Sequence, residues 1–417
     1  MNCRHCGTFL HRPFLDLGSA PPSNGYLTTK TIHSPEQWLP LRLLVCENCW
    51  LVQTEDFAGA ETLFSDDYGY FSSFSTTWLK HAEEYVATMV ERFSLNRQSL
   101  VIEVAANDGY LLQFVKKREI PCLGIEPTLS TAEAAKKKGL TIIKEFFGKS
   151  LAETLLQKKM SADLITANNV LAHVPDINDF VAGFTTLLKP QGVATFEFPH
   201  LLNMVAENQF DTAYHEHYSY FSLTTVRTIF FHNGLQIFDV EPLATHGGSL
   251  RIYAQRTDHA GRKCTNRVEG VLRQERAQGI RNTRFYTSFQ KNAEKVKNDF
   301  LVFLLQCREQ GKSVAGYGAA AKGNTLLNFA GIKQDLLPYI VDRNPAKQNN
   351  FMPGSRIPIV DESRLKDERP DIIIILPWNL RDEIIKQLQY TQEWNAQYVT
   401  AIPALTKMER RQHDSRI

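Results

Sequence analysis

The clearest helical period in the chain runs from about Thr76 to Phe93. There Trp78, Leu79, Ala82, Tyr85, Val86, Met89 and Val90 fall on one apolar stripe. From Ser99 the pattern changes to short apolar runs separated by turns. Ser99–Val104, Pro121–Glu126, Thr141–Ile143, Asp163–Ala167 and Gly192–Phe198 read as five strands. Helical patterns at Leu111–Arg118, Thr131–Lys138 and Ile177–Leu188 lie between them. Alternation of this kind predicts an α/β fold with a doubly wound sheet. A helix over Ser222–Asn233 and a strand over Gly234–Val240 follow, then a highly charged helical stretch from about Gly261 to Gln310. A second alternating block closes the chain. Ser313–Gly316, Leu337–Asp342 and Asp371–Pro377 are its strands, and a glycine-rich turn with a helix follows the first of them.

Ahead of the first helix the pattern is different. Cys3-Arg4-His5-Cys6 and Cys46-Glu47-Asn48-Cys49 are two C-x-x-C pairs separated by strand-like runs such as Leu41–Val45. Each pair presents two thiolates to one ion. Four thiolates complete a tetrahedron, so Cys3, Cys6, Cys46 and Cys49 predict a structural zinc site without an open coordination position. Seven cysteines, an odd number, speak for a reducing cytoplasm rather than a disulfide framework. Formal net charge is +2 with spread basic residues, and 43% of the residues are apolar. Neither a nucleic-acid partner nor a membrane surface is called for. No apolar run approaches the roughly 18 residues of a membrane span, and the N-terminus lacks a signal-peptide core.

Chemistry concentrates beyond the strand ends, where a doubly wound sheet holds its ligand. The first turn, Glu103-Val104-Ala105-Ala106-Asn107-Asp108-Gly109, lacks the glycine triplet of a dinucleotide site. Glu126 ends the second strand and can accept ribose hydroxyls. Polar Asn107, Asp108 and Asn168 beyond strands one and four suit the cationic S-adenosylmethionine better than a pyrophosphate. Beyond strand five lies Asp211-Thr212-Ala213-Tyr214-His215-Glu216-His217-Tyr218-Ser219-Tyr220-Phe221, which reads either as a polar hinge or as an acid/base site. Two further turns can hold an anion. One is His246-Gly247-Gly248-Ser249. The other is Gly316-Tyr317-Gly318, followed by Lys322 at a helix start. In each, an ordinary structural turn accounts for the sequence about as well.

Taken together, these motifs resemble the S-adenosylmethionine-dependent sugar C-methyltransferases that act on nucleotide-linked deoxyketosugars. The resemblance spans nearly the whole chain. It rests on the paired C-x-x-C, F-L-D-L-G, Y-G-Y-F-S-S, E-V-A-A-N-D-G-Y-L-L, G-I-E-P, A-N-N-V-L-A-H-V, Y-H-E-H-Y-S-Y-F, H-G-G-S-L-R and G-Y-G-A-A-A-K-G-N-T. It implies a zinc-binding domain over residues 1–67, a Rossmann-like methyltransferase domain over 68–240 and a Rossmann-like C-terminal domain over 241–417. It further implies that Glu103, Asn107, Gly109, Glu126 and Asn168 surround the cofactor, with Tyr70 and Ser72 approaching from the zinc side. Tyr214, Glu216 and His217 match the catalytic constellation, with His173 nearby, and His215 has no assigned role. The substrate implied is a small molecule, a nucleotide-diphosphate-linked 4-keto-deoxysugar methylated at C-3. Ser249, Gly316, Gly318 and Lys322 are its expected contacts. One departure is Ala105, where many methyltransferases place glycine.

The reaction itself explains such residues. A sulfonium methyl accepts only electron pairs, so the acceptor carbon must first lose a proton beside its ketone. His217 suits that base, Glu216 can orient it, and Tyr214 or His173 can donate to the enolate oxygen. Adjacent strand residues point opposite ways, so Glu216 and His217 can meet only in a loop or bulge. Three rivals stand beside this reading: a nicotinamide oxidoreductase using the C-terminal turn, a non-catalytic zinc scaffold, and metal catalysis through His215 and His217.

Overall fold

The structure is a computed structural model that describes residues 1–57, 59 and 71–408. Its contacts divide the chain into two compact units. The first comprises Met1–Phe14, Leu43–Asn203 and Glu216–Thr287. The second comprises Leu15–Arg42, Met204–His215 and the chain from Ser288 onward. The strands β1 (Arg12–Ala20) and β2 (Leu39–Val45) run across this division, and β3 (Val52–Thr54) lies wholly in the first unit.

The helix Thr76–Phe93 forms over the limits its sequence period gives. Ser75 caps it by accepting from the Trp78 amide at 3.2 Å, and Ser94, at φ 53°, ends it in the left-handed region. Its stripe buries Ala82, Tyr85, Val86 and Met89. Next come β4 (Val101–Val104), β5 (Cys122–Ile125), β6 (Ile142–Ile143), β7 (Ala162–Asn168) and β8 (Leu188–Pro199). The strands β9 (Ser219–Tyr220), β10 (Leu235–Leu243) and β11 (Ser249–Arg256) complete the unit.

The large sheet has the order β10-β11-β8-β7-β4-β5-β6. Its strands β4 to β8 are parallel, while β11 is antiparallel to both β8 and β10. From β4 the chain winds outward through β5 and β6, then returns to the other side for β7 and β8. The carboxyl ends of β4 and β7 therefore flank the switch point, where such sheets bind ligands.

By their contacts, residues 241–287 belong to the first unit. The reason is pairing: β10 runs on to Leu243, and β11 returns between it and β8. The helix Lys149–Gln157 is a further element, one that the sequence pattern did not predict.

The second unit holds β12 (Val314–Tyr317), β13 (Ile340–Val341), β14 (Ile359–Val360), β15 (Ile372–Ile375), β16 (Gln397–Thr400) and β17 (Thr406–Lys407). They form a sheet in the order β14-β13-β12-β15-β16-β17. Strands β12 to β16 are parallel. The four isoleucines of β15 are all buried, as expected for a strand covered on both faces. The helix Ala321–Ala330 follows β12 across the glycine-rich turn.

Candidate active site

The four cysteines converge. Their Sγ atoms all lie within 4.8 Å of one another, with Cys3–Cys49 and Cys6–Cys46 each at 3.5 Å. That spacing fits four thiolates around a zinc ion whose bonds are about 2.3 Å long. The Gln53 amide donates to Cys3 Sγ at 3.3 Å, a bond that offsets thiolate charge from outside the ligand set.

The turn after β4 is built from left-handed residues. Ala105, Asn107 and Gly109 have φ of 57°, 49° and 76°. Ala105 therefore occupies a conformation that glycine adopts without steric cost, which accounts for the glycine common there. Gly109 is needed for packing as well. A Cβ there would meet Leu140 Cδ1 at 2.3 Å.

Glu126 is fixed by three donors. Its Oε2 accepts from the Asn107 amide at 2.8 Å, and its Oε1 accepts from the Thr128 amide and hydroxyl at 3.1 and 2.6 Å. A carboxylate has about four acceptor positions, so one remains on Oε2 for a ribose hydroxyl. The side chain of Asn107 is engaged as well, since its Oδ1 accepts from the Ser72 amide at 2.9 Å. Tyr70 lies outside the described residues.

Glu103 is 1% exposed, and neither of its oxygens meets a donor in hydrogen-bonding geometry. Burial, then the nearby Asp108 and Glu126 charges, pushes its carboxyl well above the usual range. The Leu112 amide and the Tyr110 hydroxyl offset that rise only in part, so this buried acid still lacks a cation. S-adenosylmethionine has an ammonium and a sulfonium, so the residues present fit that cofactor. Asn168, at the end of β7, is buried, and its Oδ1 accepts from Thr166 at 3.2 Å.

The aromatic and histidine stretch is not a strand through its centre. Phe210–Thr212 is a short 3-10 turn, His215–Glu216 is a turn, and only Ser219–Tyr220 is extended. The turn removes the alternation that would hold neighbouring side chains apart. The division between the two units falls between His215 and Glu216, so Tyr214 belongs to the second unit.

Within the first unit, Glu216 and His217 are buried. The His217 ring lies 4.6 Å from the His173 ring, centroid to centroid, at 65°. His173 Nδ1 donates to the Glu216 carbonyl oxygen at 2.8 Å. Burial holds the His173 pKa down at about 4. His173 is thus neutral near pH 7, with its proton on Nδ1 and an acceptor lone pair on Nε2. In an imidazole nitrogen NMR titration, His173 should keep this tautomer as pH falls until about 4. A ring that protonates near 6.5 would contradict the assignment.

Three stretches of the chain match described families in turn. Residues 3–64 match a putative zinc binding domain, 78–240 a methyltransferase domain and 244–403 a C-methyltransferase C-terminal domain. The C-methyltransferase NovU of Streptomyces niveus is 32% identical over 406 residues, which span 96% of this chain and 95% of NovU. The chain belongs to the C-methyltransferase family. It is an S-adenosylmethionine-dependent C-methyltransferase with an N-terminal zinc-binding segment. Among solved structures, magnesium protoporphyrin IX methyltransferase of Synechocystis PCC 6803 with bound SAM is 16% identical. The match covers 48% of this chain and 100% of that one, at a TM-score of 0.37. A SAM-dependent methyltransferase of Anabaena variabilis is 14% identical over 48% of this chain and 96% of its own, at 0.38.

In the second unit of this C-methyltransferase, the glycine-rich turn is closely packed. A Cβ at Gly316 would meet Ile340 Cγ1 at 2.8 Å, and one at Gly318, whose φ is 87°, would meet Pro377 Cδ at 2.5 Å. The room left by the missing side chains is filled by protein. Lys322 already has partners. Its ammonium lies 4.6 Å over the Trp378 ring and 3.2 Å from Asn379 Oδ1. Asp211, which the Trp378 indole meets at 2.8 Å, is pushed up to about 6 by burial, and the Lys322 charge counters that rise.

Ser249, in the first unit, closes its own turn by donating to the Thr245 carbonyl at 2.9 Å. His215, in the second unit, bonds the Pro40 carbonyl at 3.2 Å. Among the described residues the cysteine quartet is the only group of three or more ligand side chains.

Three features carry no readable signal in the sequence. Asn169, at φ 55°, has a buried side-chain amide with no partner beside the crevice, and the paired asparagines are its only hint. Glu197 is bonded by His81 Nε2 at 2.8 Å and Arg251 Nε at 2.7 Å. Glu275 accepts from His200 at 2.7 Å and from the Leu223 and Thr224 amides at 2.6 and 2.8 Å. That last carboxylate secures the helix Leu223–His232, directly after the aromatic and histidine stretch. Its partners are more than fifty positions away in sequence, and no local pattern announces them.

Proposed function

We propose that the acceptor is a nucleotide-diphosphate-linked 4-keto-deoxysugar, methylated at C-3, with His217 as the base. The observation that carries this reading is the buried His173–Glu216–His217 arrangement, in a chain whose family transfers methyl groups to carbon. S-adenosylmethionine supplies an electrophilic methyl group when bound. Glu103, Asn107, Glu126, Asn168, Ser72 and the Gly109 turn hold it, with Glu103 meeting its positive charge and Glu126 one ribose hydroxyl. Tyr70 is carried by the resemblance alone.

His217 takes the proton from the carbon beside the ketone, and the C–H electron pair becomes the enolate. That carbon would then be the nucleophile toward the methyl group that the bound cofactor would supply. Neutral His173 has its one proton committed to the Glu216 carbonyl, so Tyr214 as donor to the enolate oxygen is carried by the resemblance alone. Glu216 supports the imidazolium. Ser249, Gly316, Gly318 and Lys322 are carried as nucleotide contacts by the resemblance alone, and packing and internal bonds already occupy them.

The test is incubation with labelled S-adenosylmethionine and a panel of nucleotide-linked 4-ketosugars, with the products weighed by mass spectrometry. A gain of one methyl group, with exchange of the C-3 proton in heavy water, is the expected result. Cofactor binding without product from any ketosugar would point to another acceptor class.

A further inference from the structure

We propose that the zinc knuckle is also the mount of the catalytic histidine, and that Arg4, Gln53 and Thr54 are the positioning residues through which it acts. The proposal rests on the reading of His217 as the base. All the contacts it uses lie within the first unit.

The path begins at the metal ligands. Gln53 is fully buried and its amide is used at both ends. Its Oε1 accepts from the Arg4 amide, inside the first C-x-x-C, at 2.9 Å, and its Nε2 donates to Cys3 Sγ. The second knuckle grips the same strand. The Cys46 amide donates to the Leu51 carbonyl at 2.9 Å, and Val45 pairs with Val52. The three residues of β3 are thereby tied to both halves of the zinc site.

On its other edge, β3 pairs with the end of the catalytic stretch, Val52 with Tyr220 and Gln53 with Ser219. Thr54 completes the connection. Its hydroxyl donates to the His217 carbonyl, and its amide donates to the Tyr218 carbonyl at 3.1 Å. Arg4 supports the far end. Its guanidinium donates to the Thr54 carbonyl at 2.9 Å and lies 4.9 Å over the Tyr218 ring.

The consequence falls on the histidine's own peptide groups. The carbonyls of Glu216 and His217 are consecutive, and each takes a donor from a different element. One is held by His173, the other by Thr54. The two carbonyls belong to the peptide groups on either side of the His217 Cα, so turning either one breaks its own bond, which is costly to leave unmade in a buried setting. The base is thus fixed on a backbone clamped from two sides, one of which is the zinc domain. Misplacing a reacting group by about 1 Å can cost on the order of a hundredfold in rate, so a clamp of this kind acts on turnover.

The test uses the full-length, zinc-loaded protein. Thr54→Val keeps the side-chain volume and removes the donor. The expected result is a kcat lower by about tenfold to a hundredfold with the KM for S-adenosylmethionine and the zinc content unchanged. The His217 imidazole resonances should move in the NMR spectrum, Tm should fall by only a few degrees, and Thr54→Ser should restore turnover and spectrum together.

A kcat within about twofold of the parent, with the His217 resonances in place, would overturn the proposal. So would a loss that follows Tm and that Thr54→Ser does not restore. If Thr54→Val does not fold, Arg4→Gln, which leaves the four thiolates intact, is read by the same measurements. Full activity in His217→Asn would strike the base assignment itself. An inactive His217→Asn beside a fully active Thr54→Val would strike only the mount.

Discussion

His217→Asn lowers methyl transfer about a thousandfold while S-adenosylmethionine binds as before. The size follows from the role: a positioned general base contributes about a hundredfold to ten-thousandfold. Carbon cannot attack the methyl group until its proton is gone, and water inside a buried site is a poor substitute. The affinity is preserved because the groups proposed to hold the cofactor, Glu103, Asn107 and Glu126, are on β4, β5 and their turns rather than on the 215–216 turn. Asparagine retains polarity and approximate size, so the buried cavity is not left hollow. Calorimetry of cofactor binding and single-turnover transfer from labelled cofactor give the two numbers separately. Proton exchange at the substrate carbon is the sharper readout, because it needs the base and not the methyl donor. Exchange that continues at the parental rate in the variant would remove His217 from the role.

Loss of the metal has the largest expected effect on stability. Cys46→Ser should leave the protein without stoichiometric zinc and with the N-terminal segment unfolded. Structural zinc supplies about 10–16 kcal/mol of apparent binding energy in small zinc-dependent folds. The net stability of a whole domain is only about 5–15 kcal/mol. Cys46 is completely buried, and its thiolate partners lie close enough to repel one another when no cation stands between them. Two of the strands tied to the knuckles, β3 and β9, have only three and two residues and depend most on that anchor. Metal analysis should read one zinc per chain in the parent and close to none in the variant. Limited proteolysis should then cut the segment before Thr76. A protein that keeps its Tm and protease resistance without zinc would show that the quartet is not a structural centre. Because β9 carries the end of the stretch proposed to hold the base, activity should disappear with the metal even where the large sheet survives.

Much of the first unit was legible because its signals are local. The stripe from Trp78 to Val90 specifies a helix whatever it packs on. Apolar runs such as Leu100–Val104 and Leu164–Ala167 specify buried strands, and two C-x-x-C pairs specify a thiolate quartet by stereochemistry alone. The stretch from Tyr214 to Tyr218 stood out in the sequence, because so many ionisable and phenolic groups seldom gather in a few residues, but the sequence left a polar hinge and an acid/base site both open.

Partnership across the chain was not legible. The course of β10 to Leu243 and the insertion of β11 beside β8 were not legible, since hydrogen-bond pairing is set by three-dimensional neighbours and leaves no mark at one position. His81 with Glu197, His200 with Glu275 and Thr54 with His217 are separated by 116, 75 and 163 positions. Each pair consists of ordinary residues until folding removes water from between them. The protonation of His173 was decided in the same way. Sequence offers a histidine whose ordinary pKa is about 6.5. Burial and one carbonyl determine that it stays neutral and which nitrogen carries its proton. Composition and spacing thus determined which elements form and which chemistry the chain contains. Tertiary structure decided which groups meet, because desolvation and hydrogen-bond geometry exist only between surfaces already brought together.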